Sequence, residues 1–255
     1  MAPTDTPIRI PDLEVDDPLL RLQLGACRLR VGPGAVDGWA EGSYHDPGGR
    51  DPVRLHVEGS CVTLSQDRSL DRAVGLLEGV PTCRLSLGAS RAFRLELDTG
   101  ASDVDLDLTG LPLRGLSLRA GAGAVDVRVA APNPVDADEV RLQVGAGGLD
   151  AVGLGNLAAA RLRIDGGAAN LSLGLTGELR RHLAVRISAG MSAVRVVLPG
   201  DRPARISATS TLGSRELGDG FVTRDGAVHT TAPGEPVIDL EANVALGTLQ
   251  LRTGR

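Results

Sequence analysis

Residues 95–198 carry five near-copies of one pattern: LELDTGASDVDLDL (95–108), LSLRAGAGAVDVRV (116–129), VRLQVGAGGLDAV (140–152), LRIDGGAANLSLGL (162–175) and VRISAGMSAVRVVL (185–198). Each copy holds a marker glycine: Gly100, Gly121, Gly145, Gly167 and Gly190. The intervals between markers are 21, 24, 22 and 23 residues. Apolar residues lie five and three places before each marker and four and six places after it. These positions are Leu95, Leu97, Val104, Leu106, Leu116, Leu118, Val125, Val127, Val140, Leu142, Leu149, Ala151, Leu162, Ile164, Leu171, Leu173, Val185, Ile187, Val194 and Val196. A spacing of two within each half means a strand with one face inward. The marker is read as a corner where glycine permits a positive φ. One strand–bend–strand unit cannot bury its own apolar face, but stacked units can.

A helical solenoid would show the same period, but the composition argues against it. β-Branched alternation is dense, and the breaker-rich turns TGLPL, AAPNP, LGN, TGEL and PGDRP close the copies. The Gly145 copy is irregular, with Gly153 where the others keep Leu or Val, which reads as a bulge or a shifted turn. The expected fold class is therefore all-β: a single-stranded right-handed parallel β-helix of about 22 residues per rung, its handedness taken from the general preference of crossovers.

The flanks adapt the same plan. Residues 1–18 are polar, without the basic start and apolar run of a signal peptide, and read as a frayed tail or cap. The remainder, 19–255, reads as one solenoid domain. LRLQLGACRLRV (20–31) resembles a copy with Gly25 as marker, and VRLHVEGSCVTL (53–64) is a strand pair. Residues 32–52 form a loop insertion with the only Trp and Tyr, Trp39 and Tyr44, as candidate interaction residues. SLDRAVGLLE (69–78) is the one expected short helix. Beyond Pro199 the alternation continues, with Thr211 and Asn243 placed at the marker position and a second insertion at 218–236. The last strand ends near Leu249 and Leu251, and its outer edge is expected to invite strand addition, giving a homodimer through the C-terminal rung.

Composition excludes much. Net charge is −5, so no affinity for nucleic acid is implied. All 27 basic residues are arginine, so a P-loop lacks its lysine. No stretch is long and apolar enough to span a membrane. Gly153–Ala158 only echoes a dinucleotide fingerprint, with no amphipathic helix after it. Cys27, Cys61 and Cys83 lack metal spacing and read as buried thiols, the four histidines are scattered, and the Asn170–Ser172 sequon has no secretory setting. No cofactor or metal is expected.

Stacking the copies exposes two charged columns. Asp105, Asp126 and Asp150 form an acidic column, with Asp103 and Asp107 beside it. Arg141, Arg163 and Arg186 form a basic one. Each has a plain reading as a solvated face. Each also has a sharper one: a cation or basic partner on the aspartates, and anionic lipid or an acidic partner on the arginines. Paired carboxylates on a β-helix could also cleave polysaccharide, although aromatics to stack on sugar are almost lacking.

VRVVLPGDRPARISATSTLGSREL (194–217), followed by VIDLEANVALGTLQLR (237–252), resembles the toast-rack β-helix of LiaF-like proteins over roughly residues 85–255. That resemblance implies a domain of unknown function tied to cell-envelope stress and often joined to membrane helices, which are not found in this sequence. It carries no catalytic residues. The functional expectation is a non-enzymatic scaffold or regulatory interaction module, cytoplasmic, with peripheral membrane contact left open. A self-assembling bactofilin-like polymer is the second reading and a carbohydrate-active enzyme the third.

Overall fold

The computed structural model describes residues 4–36, 38–49, 52–66, 79–224, 227–234 and 237–254. The helix expected at 69–78 lies outside the described residues. The described residues are mostly strand, with no α-helix among them, in one open, many-stranded sheet. All twenty apolar positions listed above are buried, none more than 3% exposed. They belong to one core, which lies between the two halves of the rungs.

The central rungs are long bent strands: β10 (Leu113–Arg128), β11 (Ala137–Val152), β12 (Ala159–Gly174) and β13 (Leu183–Pro199). They pair in parallel, each on the next, and like positions of the repeat meet: Leu116 with Val140, Val140 with Leu162, and Leu162 with Val185. The preceding rung is split into β8 (Phe93–Ala101) and β9 (Asp103–Asp107), both parallel to β10. This is the ladder geometry consistent with a solenoid.

At the corner, the structure changes the explanation of the marker glycines. None of the five has a positive φ. The carbonyl of one marker lies against the next instead. A Cβ on Gly190 would sit 2.7 Å from the oxygen of Gly167, and one on Gly121 would sit 3.1 Å from that of Gly100. A positive φ falls two residues after Gly121 and Gly145, at Gly123 and Gly147, whereas Ser102, Ala169 and Ser192 hold that place in the other three copies without one. The markers are there for close approach.

Stacking order departs from chain order at both ends. The rung of β2 (Leu19–Leu24) and β3 (Arg28–Pro33) lies between β8–β9 and the later strands β6 (Cys61–Gln66) and β7 (Thr82–Leu87). At the far end, β17 (Ile238–Gly254) inserts between β13 and β14 (Ala204–Leu217), parallel to both. The C-terminal rung is therefore not an open edge. Leu249 and Leu251 are fully buried with a partner strand on each side, which overturns the expected edge-to-edge dimer at that rung. The physical reason is competition for the interior. β17 offers Ile238, Leu240, Ala242, Val244, Leu249 and Leu251, all buried. At the same register β14 has Ala208, Ser210 and Arg215 opposite Ala242, Val244 and Leu249. The more apolar rung takes the inside, and the poorer one takes the end.

The loops expected at 32–52 and 218–236 hold strands. β4 (Ala40–Asp46) pairs antiparallel with β7. The segment read as a tail contains β1 (Thr4–Ile10), antiparallel to β4, with Ile8 and Ile10 buried. β5 (Val53–Glu58) covers β6, again antiparallel. β15 (Phe221–Arg224) and β16 (Ala227–Thr230) form a hairpin whose Val228 and His229 pair with Ile206 and Arg205 of β14. A parallel ladder is thus met by antiparallel strands across one end and, over Arg205 and Ile206, at the other. Along the side opposite the glycine corner, Asn133 and Asn156 are buried pins. Asn133 donates to the carbonyls of Leu113 and Leu157 and accepts from the amides of Leu113 and Val135. Asn156 donates to Val129 and accepts from the amide of Glu178. Gly153 is left-handed and opens a single 3-10 turn, Leu154–Leu157, so the irregular copy does contain a shifted turn and no dinucleotide-binding helix.

Candidate functional site

The acidic column is in register. Asp105 lies opposite Asp126, and Asp126 opposite Asp150. It is bounded on one side by Arg30, whose Nε is 3.7 Å from Asp105 Oδ2, and on the other by Ser172. The middle member feels both neighbours. Burial, then the charges of Asp150 and Asp105, push the Asp126 carboxyl above the usual range, and Arg128 opposes this. The folded chain therefore holds this proton more tightly than the unfolded chain, so protonated Asp126 favours the fold and that contribution fades as pH rises through its raised value. Asp126→Asn is expected to stabilise the fold at neutral pH and low salt by no more than about 1 kcal/mol, seen as a higher Tm, with the gain shrinking in high salt and in acid. A melt series in pH and salt checks this; a gain that survives in acid would mean repulsion is not the cause.

The three carboxylates stand side by side on one flat face. Glycoside hydrolysis needs two that flank a bond. Among the described residues, no group of three or more His, Cys, Asp or Glu could hold a metal ion.

The basic column is also in register: Arg141 opposite Arg163, Arg163 opposite Arg186, and Arg186 opposite Glu241. It is partly neutralised. Arg163 Nε lies 3.0 Å from Glu139 Oε1, and Arg141 Nη2 lies 3.5 Å from the same oxygen. Arg186 donates through Nη2 and Nε to Glu241 Oε2 at 2.7 and 3.1 Å. Those bonds, with one from Asn243, hold the Glu241 carboxyl below its usual range. The neighbouring column reads Glu139, Arg161, Ala184, Asp239, Arg205. Between its arginines lies a trough of about 520 Å³ bordered by Arg161, Arg163, Arg186 and Arg205.

The structure brings each charged column together but separates the two. The arginines are on the first halves of the rungs, the aspartates on the second. Trp39 and Tyr44 are not available at the surface. They are 2% and 1% exposed, and Trp39 meets Phe93 edge-on at 5.6 Å. Cys27 and Cys83 are buried and Cys61 is partly so; burial, with Cys27 nearby, pushes the Cys83 thiol up to about 12, which keeps it protonated.

Two features escaped the sequence reading. One is the gap at Ala184, legible only once its column is aligned. The other is a row of exposed apolar side chains at the corner, Met191, Leu246 and Leu212, in register across β13, β17 and β14. Leu246 is 46% exposed. The marker position of that rung is Ala245, since Val244 and Leu246 flank it opposite Ala189 and Met191, and not Asn243.

The family model described as the N-terminal domain of toast_rack, DUF2154, matches residues 4–150. The chain belongs to the toast-rack family. The match lies on the N-terminal side, whereas the motifs that first suggested the family lie in 194–252. No curated protein shows significant sequence similarity to this toast-rack chain. Among solved structures, a "putative cell adhesion protein" of Clostridium sporogenes matches with TM-score 0.51 at 14% identity, covering 99% of this chain and 100% of its own. A "putative adhesin" of Bacteroides fragilis matches with TM-score 0.44 at 12% identity, covering 98% and 96%. At such identity the first shows the toast-rack fold alone. No helix among the described residues is long and apolar enough to cross a membrane.

Proposed function

We propose that this toast-rack chain is a non-enzymatic interaction module: a monomeric β-solenoid platform, coiled right-handed, that presents its two charged faces to partners. The observation that carries this reading is the finish of the ladder. β5, and β4 with β1, cover one end with antiparallel strands, and at the other the β15–β16 hairpin covers the start of β14 at Arg205 and Ile206. At the far end Arg215 occupies an inward register position and donates to the Ala208 carbonyl at 3.4 Å. Inward charge and covering strands are the devices that keep sheet edges from joining other chains. They oppose the end-to-end polymer, and the flat arrangement of Asp105, Asp126 and Asp150 opposes the glycan-cleaving enzyme.

The cell-adhesion description of the Clostridium neighbour fits a binding module and gives an exported setting equal standing with the cytoplasmic one expected from the sequence. A regulatory role in envelope stress rests on the family resemblance. Mass measured in solution over a concentration series is expected to show a monomer throughout, and a broad glycan panel is expected to show no turnover. Growth of mass with concentration would favour the polymer, and cleavage lost in Asp105→Asn with Asp126→Asn would favour the enzyme.

A further inference from the structure

We propose that the trough over Ala184 seats a carboxylate side chain from an extended acidic segment of a partner protein; this names the binding face within the interaction-module reading and rests on it. Ala184 is exposed on β13, with Arg161 opposite on one side and Asp239 on the other. From β11 to β14 it is the one small residue in a column whose other members are Glu139, Arg161, Asp239 and Arg205, so it leaves a gap floored by a methyl group. Arg161, Arg163, Arg186 and Arg205 border that gap.

The charge around the gap does not balance. Over the rungs from β11 to β14 the two columns contain five arginines (Arg141, Arg161, Arg163, Arg186, Arg205) against Glu139, Asp239 and Glu241. Glu139 is shared between Arg141 and Arg163, and Asp239 between Arg205 at 3.2 Å and His182 at 3.0 Å. Arg161 has no ion pair among the described residues. Asp165, the carboxylate of the next column outward, borders a separate groove along the glycine corner. An arginine already held on one side still has free N–H groups for a second oxyanion, and a guanidinium matches a carboxylate in two parallel bonds.

The shape selects a chain over a membrane. Asp239 and Glu241 stand beside the arginines and would repel a broad anionic surface. The outward residues here include no large apolar side chain to enter a bilayer. A single extended segment can place an acid in the gap while Ser207, Thr209 and Asn243, which also border it, meet its backbone.

The test is fluorescence anisotropy of the full chain with a dye-labelled octapeptide of alternating Glu and Gly, against the same peptide with Gln. Vesicles containing phosphatidylglycerol form a second arm, read by co-sedimentation. Ala184→Glu fills the gap with a carboxylate, Arg161→Gln removes the unpaired cation, and Ala193→Glu on the opposite face is the control. The Glu peptide is expected to bind, more weakly as salt rises, and Ala184→Glu and Arg161→Gln are each expected to weaken it by about tenfold or more, the loss of one charge-assisted hydrogen bond. Ala193→Glu is expected to change nothing. No saturable binding, equal binding of the Gln peptide, or indifference to both variants overturns the site. Vesicle binding without peptide binding also overturns it, in favour of a membrane. Should Ala184→Glu fail to fold, Arg161→Gln decides, since its side chain is exposed. Loss of this site with the chain still monomeric and inert toward glycans leaves the module reading standing, whereas glycan cleavage removes that reading itself.

Discussion

Val125→Asp is expected to abolish cooperative folding. Val125 is 1% exposed and lies in register between Val104 and Leu149, so its side chain meets the rung on either side. The substitution gives up about 1.5–3 kcal/mol of apolar burial and adds an unpaired charge that costs several kcal/mol more. A domain holds only about 5–15 kcal/mol in total. The expected result is aggregation on expression, or a broad transition with weak tertiary signal. Asp126, one residue on, is exposed, because strand side chains alternate. A melt of Val125→Asp indistinguishable from wild type would mean that the register is displaced by one residue.

That alternation is why the repeat was legible. The twenty inward positions and both charged columns follow from a period of two inside a period near 22, and pairing sets like positions of successive copies opposite one another. What was illegible has a common cause. The place of β17 between β13 and β14 is a choice between two non-local pairings, and no residue nearby in sequence marks it. Only a comparison of the rungs shows it, with Arg215 of β14 set against Leu249 of β17. β1 and β4 were missed because a strand that caps an end needs few apolar residues; Ile8, Ile10, Ala40 and Tyr44 suffice. Trp39 lies inside, where its ring meets Phe93 edge-on. Asn133 and Asn156 read as ordinary turn residues, and their role depends on carbonyls 20 and 27 residues away.

The acidic and basic columns show the other boundary of what sequence can say. Alignment alone places Asp105, Asp126 and Asp150 in one row, and Arg141, Arg163 and Arg186 in another. It does not show which charges are already answered. Glu139 and Glu241 neutralise much of the basic column, so its open capacity moves to Arg161, one column away. The acidic column has Arg30 at its end and Arg128 beside it, and its middle member still bears the cost as a raised proton affinity.

The glycine corner gives the second large effect. Gly167→Ala is expected to destabilise the chain by about 3 kcal/mol, the upper part of the range for overpacking, because nothing nearby is free to move. The Cβ it introduces would fall inside contact distance of the Gly145 carbonyl, a backbone atom held by its own rung. Gly190 on the far side is tied in turn to the Gly167 carbonyl, so a shift of one rung must be passed to the next. Gly148→Ala is the matched control. A Cβ there meets only the Asn170 carbonyl at 4.0 Å, and its φ is not in the left-handed region. It is expected to be neutral or to stabilise by up to about 1 kcal/mol, through the lower entropy of the unfolded chain. Urea unfolding of the two variants separates the explanations. If the marker served only as a flexible corner, both substitutions would cost about 0.5 kcal/mol or less, as changes at unstrained sites do. If it serves as a point of close backbone contact, Gly167→Ala alone loses several kcal/mol, with its m-value unchanged while folding stays two-state. Equal effects at the two positions would remove close approach as the reason a glycine recurs at every corner from 100 to 190.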